Sequence, residues 1–134
     1  MRDHIAPMAV ELNHTIVHAD DKDVSARFLV DILGLDPPIA FGPFLVVKTA
    51  NGVSLDFINT GGDPVRSRHF AFLVTETEFD AIFARIKERG LSYWADPMGR
   101  IENQINTHFG GRGFYFRGPE GHWLEVITRP YEMG

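Results

Sequence analysis

Two histidines and two carboxylates recur at matching places along the chain. His14 stands in "LNHTIVH" and His69 heads "RHFAFLV", and both runs are rich in the branched and aromatic residues that favour strands. Asp56 follows Gly52 by four residues in "GVSLD", and Glu125 follows Gly121 by four in "GHWLE". Imidazole nitrogens and carboxylate oxygens bind divalent transition metals, and they also move protons near neutral pH. The 134 residues include no cysteine. Disulfides and thiolate sites are therefore excluded, and any metal must be held by nitrogen and oxygen.

The elements that must position these groups repeat as well. His14 precedes Gly34 by 20 residues and His69 precedes Gly90 by 21. In the first half, the strand "VELNHTIVH" ends at "ADDKD", where Asp20 or Asp21 can cap a helix. Phe28, Leu29, Ile32 and Leu33 then recur at helical spacing, and Gly34 stops the pattern. Two extended runs follow, joined at Asn51-Gly52, a pair suited to a tight hairpin turn. In the second half, "RHFAFLV" is followed by Thr75 and Glu78 at capping-box spacing, with Phe79, Ile82, Phe83 and Ile86 on one helical face up to Gly90. The runs "LSYWADP", "GRGFYF" and "HWLEVIT" read as extended, while residues 97 to 111 read as a loop long enough to be functional. The repeat implies two equivalent modules, about 10–60 and 67–129, within one domain spanning 1–134.

Strand parity sorts the side chains. Leu12, His14 and Ile16 share one face; His69, Ala71 and Leu73 share another, with Phe70, Phe72 and Val74 opposite. Trp123, Glu125 and Ile127 oppose Leu124 and Val126, and Asp56 opposes Leu55 and Phe57. The apolar faces suit packing under helices. Histidines and carboxylates are left on the other face, the concave one in a curled sheet.

Composition narrows the class of function. With 44% hydrophobic and 23% charged residues, the chain reads as an ordinary globular protein. A net charge of -5 argues against nucleic acid as the partner, since phosphate-backbone binding needs clustered Lys and Arg. No apolar run approaches the roughly 20 residues that span a bilayer, and "MRDHIAPMAV" lacks the apolar segment of a signal peptide. No membrane association and a cytoplasmic location are the expectations.

The motifs "LNHTIV", "FLVDILGL", "GVSLDF", "RHFAFLV" and "GRGFYFRGPEGHWLEVITRPY" together give a chain that resembles the vicinal oxygen chelate superfamily from about Glu11 to about Tyr131. That group contains glyoxalase I, fosfomycin-resistance enzymes, extradiol dioxygenases and bleomycin-resistance proteins. The resemblance implies an α+β fold of two tandem βαβββ modules, with a curved, open mixed sheet and helices on its convex side. It also implies a divalent metal (Fe, Zn, Ni, Mn or Co) held by His14, His69 and Glu125, a facial two-histidine, one-carboxylate set with open positions. Its implied chemistry is that of a glyoxalase-like isomerase or lyase, or of a dioxygenase, on a small oxygen-bearing substrate. A metal-free protein that sequesters an aromatic natural product is the alternative.

Asp56 departs from the family pattern, which has glutamate or glutamine at this place. The shorter side chain leaves three roles open: a fourth ligand, a base acting through water, or a solvated carboxylate. Phe41, Phe44, Trp94, Phe109, Tyr115, Trp123 and Tyr131 are candidates for core or for the wall of a substrate cup. Arg100, Arg112, Arg117 and Arg129 offer guanidinium groups for a substrate anion. His18 is assigned to a pocket rim or the surface, His122 to a turn or to the support of a ligand from behind, His108 to the long loop as a candidate for substrate contact, and His4 to the terminus. Because a short chain has little to cover the edges of an open sheet, a homodimer is expected, with the site within one chain or shared between two.

Overall fold

The computed structural model of the chain describes residues 10–133. His4 lies outside them. The first half runs β1 (His14–Ala19), α1 (Lys22–Leu33), β2 (Ile39–Phe41), β3 (Phe44–Lys48) and β4 (Ser54–Asn59). The second runs β5 (His69–Leu73), α2 (Glu76–Glu88), a single 3-10 turn at His108–Gly110, β6 (Gly113–Arg117) and β7 (Trp123–Ile127).

Local chemistry sets the helix ends. The Asp21 carboxylate accepts from the backbone N–H groups of Asp23 and Val24, so Asp21 rather than Asp20 is the cap of α1. At its other end Gly34 takes φ 73°, and its N–H reaches the Val30 carbonyl at 2.8 Å. Arg85 of α2 donates to the Ile32 carbonyl at 2.9 Å and lies 3.0 Å from where a Gly34 side chain would begin. The glycine thus serves both the turn and the contact between helices. Thr75 and Glu78 form the expected reciprocal capping box at α2.

The two sheets follow one plan. The first has the order β1-β4-β3-β2 and the second β5-β7-β6, each with one parallel pair between its first and last strands in sequence. In the second half "LSYWADP" contributes a bridge at Trp94, paired with Tyr115 of β6 and with Glu102, instead of a strand of several residues. Trp94 thus occupies beside β6 the place that β2 occupies beside β3. Pro97 and Gly99 follow, and the Asp96 carboxylate accepts from the N–H groups of Arg100 and Ile101, which turns the chain before a longer strand can form.

The convex faces merge in one core. Val17, Leu55 and Phe57 pack with α1, and Phe114, Phe116, Leu124 and Val126 pack with Phe79, Ile82 and Ile86 of α2, all in one continuous cluster. Phe28 and Phe116 meet across the halves at 6.3 Å between ring centroids. His122 is a polar tie within this core and is only 1% exposed. The Arg68 N–H donates to its Nδ1 at 3.0 Å, which leaves the proton on Nε2, and Nε2–H donates to the His18 carbonyl at 2.7 Å. The ring therefore satisfies one backbone group from each half.

Replacing His122 with alanine strands both groups and opens a cavity. His122→Ala should lower stability by about 2–4 kcal/mol. Urea denaturation reads this as a lower midpoint at unchanged slope, and an unaltered midpoint would remove His122 from the tie.

Candidate functional site

Glu125 stands at the middle of β7, opposite Ala71 of β5 and Tyr115 of β6. It is 2% exposed. Its Oε1 lies 2.8 Å from His69 Nε2, and its Oε2 accepts a hydrogen bond from the Tyr131 hydroxyl. The Tyr115 hydroxyl sits 3.1 Å from that of Tyr131. Since Tyr131 donates to the carboxylate, Tyr115 donates to Tyr131, which gives a directed chain from Tyr115 through Tyr131 to Glu125. Burial pushes the Tyr115 phenol far above its ordinary value, reinforced by its hydrogen bond to Tyr131 and the Glu125 charge. Burial raises Tyr131 too, as does its bond to Glu125. Both phenols remain donors at physiological pH.

An aromatic wall flanks this group. The His69 ring meets Tyr115 edge-on at 5.7 Å, Tyr115 stacks on Trp123 at 5.9 Å, and Trp94 lies 5.1 Å from Trp123. The Arg117 guanidinium covers the Trp123 ring at 4.4 Å. The Trp123 indole N–H is buried without a hydrogen-bond partner.

His14 and Asp56 lie on the first sheet. In register, His14 is opposite Ser54 and Ile16 opposite Asp56, which puts all four on one face. With Phe41, Phe44 and Lys48 they line a cavity of about 440 Å³. His14 Nδ1 is 2.8 Å from Asn13 Oδ1, an acceptor, so Nδ1 carries the proton and Nε2 is left basic. Asp56 accepts from the Ser54 hydroxyl at 2.9 Å. One chain therefore brings His69 to Glu125 and His14 to Asp56, and it does not unite the pairs. Among the described residues no three histidines or carboxylates converge on a metal-sized space.

The other candidates have separate places. Arg112 donates to Glu76 at 2.8 Å, pairs with Asp80 at 2.9 Å and lies over the Phe79 ring, so it anchors the start of α2. A hydrogen bond from Thr128, and then the bond and charge of Arg112, hold the Glu76 carboxyl below its usual range. His18 lines a hollow of about 340 Å³ with Arg66 and Arg68, on the same face as His14. His108 is exposed in the 3-10 turn, whereas its neighbour Phe109 packs on Tyr131 at 5.3 Å. Partial burial opposes ionisation of Asp96, but the N–H donors of Ile101 and Arg100 outweigh it and keep the carboxyl low. Asp96 thus organises the loop. The Tyr131–Glu125 contact carries no periodic signal, since Tyr131 lies beyond the last strand.

Comparison with known proteins agrees with this architecture. A glyoxalase/dioxygenase from Nostoc punctiforme shares the fold at TM-score 0.67 over 90% of this chain and 92% of its own, at 23% identity. Much nearer is the structure of Oxidase ChaP-H1, 62% identical with TM-score 0.91, covering 93% of this chain and 100% of that one. Oxidase ChaP-H2 is 56% identical at TM-score 0.90, over 95% and 99%. Among curated proteins, Metallothiol transferase FosB of Shouchella clausii is 29% identical over 87% of this chain and 79% of its own length. Glutathione transferase FosA of Serratia marcescens is 26% identical over 89% and 81%. These relatives carry enzyme names, and among the described residues no helix is long and apolar enough to cross a membrane. The family model for the Glyoxalase/Bleomycin resistance protein/Dioxygenase superfamily matches residues 11–126, and with that match, the paired sheets and the motifs in order, the chain belongs to this superfamily.

Proposed function

We propose that the protein is a metal-dependent oxidase of a small, oxygen-bearing aromatic molecule, working as a homodimer with a site shared between two copies. The observation that carries this reading is the His69–Glu125 pair on an aromatic-walled face, in a chain 62% identical to a protein named an oxidase. The donor set fits a divalent transition ion: an imidazole nitrogen and a buried carboxylate oxygen face each other at 2.8 Å, and no Lys or Arg among the described residues pairs with that carboxylate. His14 supplies the third donor from a second copy. Its Nε2 is the basic nitrogen, fixed by the bond from Nδ1 to Asn13. When bound, the ion supplies Lewis-acid polarisation of substrate oxygens and access to dioxygen as the oxidant.

The protein's own groups do the rest. Tyr115, Trp123 and Trp94 pack together beside His69 and form the apolar backing of the site. Asp56, on the face that carries His14, takes the substrate hydroxyl proton directly or through one water. The edges make dimerisation economical. Strands β1 and β5 each pair on one side only, and a groove of about 470 Å³ runs between residues of β1, β5 and the Thr49–Val53 turn.

Protein purified without added metal or a metal-binding tag should carry iron, or take it up, at about one ion per chain, and should then consume oxygen with an aromatic diol or quinol substrate. His69→Ala and Glu125→Ala should each lose the ion while keeping the fold. A protein that cannot be loaded, yet holds aromatic compounds, would make it a sequestering protein. In a shared site, a mixture of His14→Ala and Glu125→Ala subunits regains one intact site per heterodimer, whereas a site within one chain regains none. Light scattering that finds only monomer would overturn the shared site. Asp56→Asn should keep the metal and lower turnover by about 100-fold, the scale of a general base; unchanged turnover would return Asp56 to the solvated class.

A further inference from the structure

We propose that Tyr131 is a positioning residue that limits Glu125 to ligation through one oxygen. The inference rests on the metal-site reading above and adds a constraint to it. A carboxylate can hold a metal through one oxygen or both, and which it does depends on what else its oxygens touch. Here the two are distinguished. Oε1 faces His69 Nε2, whereas Oε2 is taken by the Tyr131 hydroxyl. Glu125 cannot turn to exchange them freely, because it is buried between β5 and β6.

Tyr131 is itself held from three directions. The chain leaves β7 at Ile127, and Thr128 is tied to Arg112 by two hydrogen bonds, Thr128 N–H to the Arg112 carbonyl at 2.9 Å and Arg112 N–H to Thr128 Oγ1 at 2.8 Å. Pro130 then directs the backbone back across the sheet, since its ring fixes φ. Phe109 packs on the Tyr131 ring at 5.3 Å from the long loop, with its backbone at φ 57°, a conformation that costs a non-glycine residue energy and persists where surroundings impose it. The Tyr115 hydroxyl completes the set at 3.1 Å.

The consequence is a coordination count. A six-coordinate ion, if held by His14, His69 and one oxygen of Glu125, would have three positions left for other ligands, and a chelating Glu125 would leave two. Three positions accommodate a substrate held through two neighbouring oxygens together with dioxygen. Two do not. Tyr131 thereby sets which reactions the site can host, although it touches neither ion nor substrate.

Manganese(II) is a suitable probe, read by water-proton relaxation and by isotope-edited infrared spectra of protein carrying labelled glutamate. Tyr131→Phe keeps the ring on Phe109 and removes only the hydroxyl. It should bind Mn(II) at the parent's stoichiometry, while the relaxation enhancement falls by roughly one-third as three bound waters become two. The gap between the two carboxylate stretches should narrow as Glu125 becomes chelating. Phe109→Ala, which loosens the phenol without altering it, should move both readouts the same way by less. Unchanged relaxation and infrared spectra in both variants at full Mn(II) occupancy would overturn the role of Tyr131 and leave the metal site standing. Failure of the parent to bind Mn(II), or undiminished binding by Glu125→Ala, would overturn both.

Discussion

The concave face of the second sheet is organised around one buried anion. A carboxylate withdrawn from water costs several kcal/mol unless donors or a cation replace its hydration. Glu125 has three neighbours that answer this: His69 on one oxygen, Tyr131 on the other, and Tyr115 behind Tyr131. Each of these comes from a different element. β5, the segment after β7, and β6 must all be in place before the carboxylate is satisfied, so the pairing order β5-β7-β6 and the return of the chain at Pro130 are parts of one requirement. No guanidinium or ammonium among the described residues reaches Glu125, so its polar neighbours are an imidazole and phenols.

The placement of Glu125 on that face was legible before any coordinates, and the reason is the period of two in strands. Leu124 and Val126 are apolar on both sides of a glutamate, and Phe70, Phe72 and Val74 alternate with His69 and Ala71. In the structure Leu124 and Val126 belong to the core under the helices, and Phe70, Phe72 and Val74 pack against it, while His69 and Glu125 meet on the far side. The helix ends were legible for the same kind of reason. Asp21, Gly34 and the Thr75–Glu78 pair act through hydrogen bonds of three or four residues' reach, which sequence spacing encodes directly.

What sequence could not supply was contact between distant segments. His122 reads as a turn residue by its neighbours Gly121 and Glu120, yet its function in the fold is to accept from Arg68 and donate to His18, 104 residues away. Trp94 reads as part of a strand because "LSYW" has strand composition, but Asp96 captures the backbone N–H groups ahead of it and the pairing with β6 stops at one bridge. Tyr131 follows a proline outside any periodic run, so nothing local marks its return to Glu125. The repeat itself could suggest that His14 and His69 converge within one chain. Equivalence of two modules, however, fixes only that each carries half of a pattern, and it leaves open which copies are joined.

The two halves have diverged in how their concave faces are covered, and this bears on what joins them. In the second half Trp94, the loop carrying Phe109 and the returning Tyr131 enclose the face, leaving Trp123 and Tyr115 largely buried. In the first half no such arms exist beyond β2 among the described residues. Ile16, Ile39 and Phe41 remain 46%, 52% and 72% exposed around the cavity that holds His14 and Asp56. A grouping of exposed apolar side chains of this kind marks a surface made for contact. The half that lacks its own cover carries the basic imidazole Nε2, and the half that has it carries the carboxylate. Bringing one face against the other, from two copies, would shield the apolar residues of the first with the aromatic rim of the second and set His14 opposite Glu125. Burial and charge then favour the same arrangement, that of the proposed shared site.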